Sequence, residues 1–178
     1  MLILSIHNKD QLHKNGSKKN VVDDMIRGKK HVFILIYMEG CGPCNATRPE
    51  WSKMAHTLQK QYSKNKDAVI IDINKDLLSS VKNVGSINGF PTMKYISDKG
   101  KTVENYEDSS IKNKDRSVDS FINWVEYKVL NGKIFSTNFT GPQHVYKRIS
   151  KRQGTNKKPG NLEENIRKTR KTRKTRKK

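Results

Sequence analysis

Cysteine is scarce in this sequence: only Cys41 and Cys44 occur among its 178 residues. Two cysteines three positions apart leave none to bridge distant parts of the chain. The composition is therefore not that of a small secreted scaffold held together by disulfides. The expected location is a reducing compartment inside the cell, cytoplasmic or nuclear, with a viral particle as the alternative. Secretion is not expected.

Long apolar runs are missing as well. The apolar run from Met1 to Ile6 has no basic residues before it and is ended by Asn8, Lys9 and Asp10. It is too short for a signal peptide or a membrane span, and no ER-retention signal closes the sequence. We therefore expect no membrane association, and we expect a monomer.

Acidic and aromatic side chains are rare near the end of the chain. Residues 147–178 contain 15 Lys and Arg, two Glu and no aromatic residue, so this segment carries a net charge of +13. The other 146 residues carry the remaining +7 of the total charge of +20. The segment ends in Arg-Lys-Thr three times and then Arg-Lys-Lys. Like charges at this density keep a segment solvated, so we expect a disordered basic tail at 147–178.

Two interpretations of this tail stay open. Lys and Arg runs attract polyphosphate without sequence preference through counterion release, and they also resemble nuclear-localisation stretches. Without aromatic residues, stacking on the bases of single strands is not supported. The tail is therefore expected either to associate non-specifically with nucleic acid or another anionic surface, or only to solubilise or anchor the protein.

The remaining residues alternate short apolar runs with amphipathic segments. Strands are predicted at 2–6, 32–37, 68–73, 91–96 and 102–106. Helices are predicted from Asn20 to Gly28, from the turn at 41–44 to Tyr62, at 77–84 and at 117–130, with irregular segments at 7–19 and 109–114. This order predicts a mixed central sheet with helices on both faces.

The central strand and the helix after it organise this pattern. A buried strand at 32–37 leads into Cys41-Gly42-Pro43-Cys44, and an amphipathic helix follows. Cys41 would lie at the amino end of that helix, where unpaired N–H groups and the helix dipole favour a thiolate. Cys44, one turn later, can form a disulfide with Cys41.

These motifs resemble the thioredoxin family. Cys41-Gly42-Pro43-Cys44 is similar to its active site, Pro49 matches the proline that bends its active-site helix, and Gly89-Phe90-Pro91-Thr92 is similar to its cis-proline loop. The resemblance covers roughly residues 21–131 and implies a thioredoxin-like α/β fold. We expect this domain at 1–131 and a partly ordered extension at 132–146. From the sequence without the resemblance, a trans Phe90–Pro91 bond is expected.

The resemblance implies thiol–disulfide exchange with protein disulfides. Cys41 would be the nucleophile and Cys44 the resolving cysteine, while Gly42, Pro43, Phe90 and Pro91 would bind substrate. A thiol reductase or an oxidant would recycle the pair, and no organic cofactor or metal is implied. Two alternatives are an inert pair and a zinc site; zinc needs two further ligands, and the five histidines show no ligand spacing.

Three positions depart from thioredoxin. Gly40 replaces the tryptophan before the first cysteine, Leu35 replaces a buried acid, and Ile70 replaces the lysine that pairs with that acid. The acid helps to deprotonate the resolving cysteine in the family, so slow turnover is expected here. Glu39, near the site, is interpreted as a solvated carboxylate, with a replacement base as the alternative.

Other segments are more similar to protein disulfide isomerase domains. They are Arg48-Pro49-Glu50-Trp51, Gly89-Phe90-Pro91-Thr92 with Met93-Lys94-Tyr95, and the helix with Trp124. The Gly-Pro pair between the cysteines instead favours a reductase, since isomerase domains usually carry Gly-His there. The alternative function is a redox-degenerate thioredoxin-fold scaffold whose basic tail binds nucleic acid or another anionic surface.

Overall fold

The five predicted strands form one sheet in the computed structural model, which describes residues 1–13 and 19–132. The strands are β1 (Leu2–Ile6), β2 (His31–Tyr37), β3 (Ala68–Asn74), β4 (Thr92–Ser97) and β5 (Thr102–Asn105). The α-helices are α1 (Lys9–Leu12), α2 (Val21–Gly28), α3 (Gly42–Gln61) and α4 (Val118–Val129). The predicted extension and basic tail lie outside the described residues, apart from residue 132.

The strand order in the sheet is β1-β3-β2-β4-β5. β1 and β2 both run parallel to β3, whereas β4 is antiparallel to β2 and to β5. β2 is therefore central and fully covered, which explains its unbroken apolar sequence. The active-site turn follows directly after this strand, so the turn is anchored in the most buried part of the fold.

Side chains on the two faces of the sheet form two separate apolar clusters. On one face α3 and α4 pack over Phe33, Leu35 and Ile70, with Trp51 and Trp124 at the centre. On the other face α1, α2 and the segment after β3 pack over the alternate residues of the same strands. The predicted mixed sheet with helices on both faces is confirmed, as is the core position of the two tryptophans.

The predicted helix at 77–84 is wrong. A 3₁₀ helix spans Lys75–Ser80, and no regular structure follows until β4 begins. Asn83 and Gly85 have φ angles of 61° and 72°, in the left-handed region, so a helix cannot continue through them. The apolar residues at 77, 81 and 84 are buried nevertheless, which is why their spacing looked helical.

The segment predicted to be irregular at 7–19 contains α1. Asn8 caps this four-residue helix by accepting a hydrogen bond from the Gln11 N–H, and the Gln11 side chain bonds back to the Asn8 backbone. Within the described residues, no helix combines the length and the apolar character that crossing a membrane requires.

Candidate active site

Cys41 caps the amino end of α3. Its Sγ accepts a hydrogen bond of 3.4 Å from the Cys44 backbone N–H, and the first turn of the helix carries no acidic residue. A sulfur at this position meets the unpaired N–H groups and the positive end of the helix dipole, which favour its thiolate form. Cys41 is half-buried, so an incoming molecule can reach it.

Cys44 lies one turn into the same helix and is fully buried. Burial raises the pKa of the Cys44 thiol, and its hydrogen bond with Cys41 acts in the same direction. The two cysteines are thus unequal: Cys41 faces solvent at the helix end, whereas Cys44 is covered and disfavoured as a thiolate. Both are free thiols in this structure.

Gly42 and Pro43 form the exposed first turn of α3 between the cysteines. Proline is compatible with the first turn because its missing N–H would have no partner there. The buried Thr47 hydroxyl donates to the Pro43 carbonyl at 2.9 Å, which fixes this turn to the helix. Pro49 lies inside the same helix, which continues to Gln61.

The loop before β4 lies directly against Cys41. The Phe90–Pro91 bond is cis, as the resemblance implies, and not trans, as the general preference of X–Pro bonds alone would favour. The Cys41 thiol donates to the Phe90 carbonyl oxygen at 3.7 Å. Residues that are 49 positions apart in the sequence thus meet at one surface, with Phe90 half-buried and Pro91 buried.

A buried lysine holds the segment that leads into this loop. Lys94 is only 2% exposed, and its ammonium group donates to the Ser86 carbonyl at 2.5 Å. Burial lowers the pKa of Lys94. An open cavity of about 310 Å³ adjoins the loop and is lined by polar side chains, including Asn88, Asn105 and the ion-paired Glu107 and Arg116.

Leu35 and Ile70 are both fully buried in the apolar cluster beneath α3. Leu35 therefore cannot accept a proton from the resolving cysteine. Ile70 likewise offers no positive charge that could pair with a carboxylate at position 35. An isolated charge at either position would be costly, whereas the apolar pair is not. The replacement of both residues is consistent with this environment.

A second open cavity, of about 410 Å³, lies between α3 and the sheet; we call it the α3 cavity. Leu35, Asn45, Arg48, Pro49 and Trp51 line one part of it, and Ser5, His7 and Asp72 line the other. Asp72 accepts a hydrogen bond of 2.7 Å from the Ser5 hydroxyl, and His7 lies 3.8 Å from the Asp72 carboxylate. Local sequence motifs do not reveal this cavity, because its lining comes from three separate strands and one helix.

Arg48 lines this cavity, and the sequence motifs assign no role to it. Its guanidinium lies 3.8 Å from the centre of the Tyr37 ring and 3.3 Å from the Glu39 carboxylate. The Tyr37 hydroxyl is in turn hydrogen-bonded to His7 at 2.6 Å. Glu39 is 64% exposed, in agreement with its interpretation as a surface carboxylate. The sequence carries two signals for Arg48: it follows Cys44 by one helical turn, and it begins the segment Arg48-Pro49-Glu50-Trp51 that is similar to protein disulfide isomerase domains.

No group of three or more His, Cys, Asp or Glu side chains within residues 1–13 and 19–132 is arranged to hold a metal ion. The site therefore consists of two thiols, a helix end and a backbone carbonyl. This arrangement suits exchange reactions between sulfur atoms, in which a thiolate attacks a disulfide.

Known proteins are similar to this chain in sequence. Protein disulfide-isomerase 1 of Dictyostelium discoideum is 27% identical over 129 residues, covering 67% of this chain and 33% of that protein. Protein disulfide-isomerase of Oryctolagus cuniculus is 31% identical over 111 residues, covering 61% of this chain and 19% of that protein. The chain thus matches about a third or less of the length of these relatives.

Solved structures agree on the fold. The crystal structure of human ERp44 form I superposes with a TM-score of 0.52 at 13% identity, covering 71% of this chain and 29% of that one. The family model described as Thioredoxin matches residues 13–123, which is more than half of the chain. This chain therefore belongs to the thioredoxin family.

Proposed function

We propose that this protein is a thiol–disulfide oxidoreductase that exchanges disulfides in protein substrates, with Cys41 as nucleophile and Cys44 as resolving cysteine. The observation that carries the proposal is the placement of Cys41. Its half-buried sulfur caps α3, and it lies 3.7 Å from the carbonyl of the residue before Pro91. The thiolate-favouring helix end and a backbone docking group thus lie side by side.

The proposed reaction has two exchange steps. The Cys41 thiolate attacks one sulfur of a substrate disulfide, and the other substrate sulfur leaves as a thiolate. The Cys44 thiolate then attacks Cys41 Sγ, the second substrate thiolate leaves, and a Cys41–Cys44 disulfide remains. Two electrons pass to the substrate, and the same steps in reverse oxidise it. A thiol reductase or an oxidant returns the pair to its starting state.

Phe90 and Pro91 are the proposed docking surface, together with the exposed Gly42 and Pro43. The Phe90 carbonyl next to Cys41 can accept a hydrogen bond from the backbone N–H of a substrate chain. The polar cavity of about 310 Å³ beside this loop gives the rest of that chain a place to lie. An unfolded or extended substrate segment fits this arrangement better than a buried disulfide.

Turnover is proposed to be slow at the second step. Burial raises the pKa of Cys44, and Leu35 supplies no base to remove its proton. The mixed disulfide should therefore persist longer than in a thioredoxin with the acid. A second-order rate on a protein disulfide equal to that of an ordinary thioredoxin, measured side by side, would contradict this part of the proposal.

The proposal is tested by equilibrating the cysteine pair with glutathione buffers and following tryptophan fluorescence. A midpoint of about −270 mV indicates a reductase of the thioredoxin type, whereas about −180 to −120 mV indicates an isomerase or an oxidant. Cys41→Ser should abolish exchange, and Cys44→Ser should trap the mixed disulfide with substrate. If the pair in the folded protein does not equilibrate at all, the proposed function is wrong.

A second proposed function rests on the uneven charge of the chain. Residues 147–178 hold 15 of the 37 Lys and Arg residues and only two of the 17 acidic residues. Such a segment favours association with nucleic acid or another anionic surface without sequence preference. This activity can coexist with disulfide exchange, or it can be the main role of a redox-degenerate scaffold.

A further inference from the structure

The loss of the buried acid leaves open what assists Cys44 in the second exchange step. Cys44 is fully buried, and a buried thiol forms a thiolate only where nearby charge or hydrogen bonds stabilise it. Charged side chains around the start of α3 are close enough to Cys44 to give such stabilisation.

Arg48 follows Cys44 by four residues in α3, so the two side chains lie on the same face of the helix. Side chains at this spacing are neighbours, and they lean toward the amino end of a helix. The Arg48 guanidinium follows that direction, since it reaches back to Tyr37 and Glu39, which precede the helix. Its charge is therefore held close to the first turn of α3, where both cysteines lie.

The position of Arg48 is fixed from two sides. Its planar guanidinium lies on the fully buried Tyr37 ring, at 3.8 Å from the ring centre, and pairs with Glu39 at its edge. The Tyr37 hydroxyl is itself tied to His7. A lysine could supply the charge at this site but not the flat contact with the ring.

We propose that Arg48 is a positioning residue that stabilises the Cys44 thiolate and thereby offsets part of the loss of the buried acid at position 35. The inference rests on the proposed disulfide exchange, and it adds a residue that the thioredoxin motifs do not contain. The positive charge of Arg48 acts to lower the pKa of Cys44, against the larger effect of burial.

Other groups that face this region modify the effect. Glu39 pairs with Arg48 but is 64% exposed, so water screens its charge more than that of the 32% exposed arginine. Across the α3 cavity His7 and Asp72 face each other at 3.8 Å, while Cys41 bonds to the Cys44 N–H. Arg48 is the cation on the same helix face as Cys44.

The second exchange step can be observed alone with the disulfide reagent 5,5′-dithiobis(2-nitrobenzoate). Cys41 attacks the reagent and releases one thionitrobenzoate, leaving a mixed disulfide on Cys41. Cys44 then attacks Cys41 Sγ and releases the second thionitrobenzoate, whose colour reports the rate. This reaction requires no access of reagent to the buried Cys44.

Arg48→Gln should slow the second release by about 3–10-fold near neutral pH, because less of Cys44 is then in the thiolate form. At alkaline pH Cys44 is ionised in both proteins, so the rate of this variant should converge with that of the unsubstituted chain. Arg48→Lys should recover part of the rate because it keeps the charge. Glu39→Gln should speed the second release, since it removes the opposing charge. Lys53→Gln is the matched control, because Lys53 forms an exposed pair with Glu50 further along α3 and should have no effect.

Three results would overturn the inference. One is an unchanged second release in Arg48→Gln, and another is an equal slowing at every pH, which a purely structural contact with Tyr37 would produce. The third is an Arg48→Lys variant no faster than Arg48→Gln. Failure of the first release in the unsubstituted chain is a separate result, because it would contradict the proposed exchange at Cys41 itself.

Discussion

Leu35 shows how one side chain constrains the chemistry of this site. It is fully buried among aromatic and aliphatic residues, and its partner across the strand pair is Asp72 on β3. The Asp72 side chain is 19% exposed, and its carboxylate accepts a hydrogen bond from Ser5. The carboxylate that pairs with position 35 across the strands therefore already has a partner at the edge of the α3 cavity. The position behind the cysteines is thus apolar, although a cavity with polar walls adjoins it.

Leu35→Asp is expected to destabilise the protein by about 2–4 kcal/mol, because a buried carboxylate opposite Asp72 on β3 replaces a packed leucine. The double variant Leu35→Asp with Ile70→Lys should recover part of that loss, since the two charges can pair in the same cluster. Urea unfolding of both variants and of Ile70→Lys measures the coupling between the positions.

The same variants also test the role of the missing acid in the exchange. If Leu35→Asp remains folded, its second thionitrobenzoate release should be about tenfold faster or more, because a base then lies near Cys44. Leu35→Asn is the control, as it introduces a polar group of similar size without a base. A release equally fast in the Asp and Asn variants would contradict the assignment.

Gly40 illustrates a different constraint beside Cys41. Its φ angle is 73°, and a Cβ atom at this position would meet no atom within 4 Å. Space is therefore available for a larger residue, but the backbone conformation disfavours any side chain. The glycine is matched to the loop conformation, so restoring a tryptophan here would strain the turn before the cysteines.

At the level of elements, the strands were predictable because a buried strand requires apolar residues, which the sequence shows directly. The central strand is apolar at every position from 32 to 37, and the structure places it between two covered faces. The segment at 77–84 failed because buried residues in an irregular segment can have helical spacing. Its left-handed residues, Asn83 and Gly85, were the physical signal against a helix.

The candidate site was predictable only in part, for a related reason. The motifs located the cysteines and the cis-proline loop, which lie far apart in the sequence and meet in the fold. Arg48 was not identified because its contacts with Tyr37 and Glu39 depend on how α3 packs on the sheet. A residue whose role depends on tertiary contacts is not identified by the spacing of residues in a short sequence motif.

The start of α2 connects two elements. The Asn20 side chain accepts hydrogen bonds from the N–H groups of Val22 and Asp23, at 2.8 and 3.3 Å, and its amide donates to the Ser80 carbonyl. The Asp23 carboxylate in turn accepts from the Lys82 N–H at 2.8 Å. One helix end thus holds the irregular segment that leads to the cis-proline loop.

Asn20→Ala should therefore cost about 1–2 kcal/mol of unfolding free energy, since it removes a helix cap and the hydrogen bond from the Asn20 amide to the Ser80 carbonyl. Asn8→Ala is the matched control, because Asn8 caps only the four-residue α1, which buries a single side chain, Leu12, and its loss should cost about 0.5 kcal/mol. Urea unfolding compares the two variants. Equal losses would show that the link to Ser80 contributes nothing beyond ordinary capping.

At the scale of the whole molecule, charge is divided unevenly along the chain. The 146 residues before position 147 carry +7, whereas the 32 residues from there onward carry +13. A mildly basic thioredoxin-family domain and a strongly basic segment therefore belong to one chain. If the basic segment binds polyanions, it will concentrate the cysteine pair on their surface without contributing to the exchange chemistry.

Deleting residues 149–178 should remove most of the affinity for DNA and flatten its dependence on salt, because the deletion takes away 13 of the basic residues. The full chain should bind duplexes of unrelated sequence equally, with log K falling by about 0.9 per phosphate contact for each tenfold rise in salt. Fluorescence anisotropy between about 50 and 200 mM salt measures both slopes. A Cys41→Ser, Cys44→Ser chain is the control and should bind as the unsubstituted chain does. An unchanged slope after the deletion would leave solubilising or anchoring as the role of the segment, and binding that depends on DNA sequence would contradict a purely electrostatic mechanism.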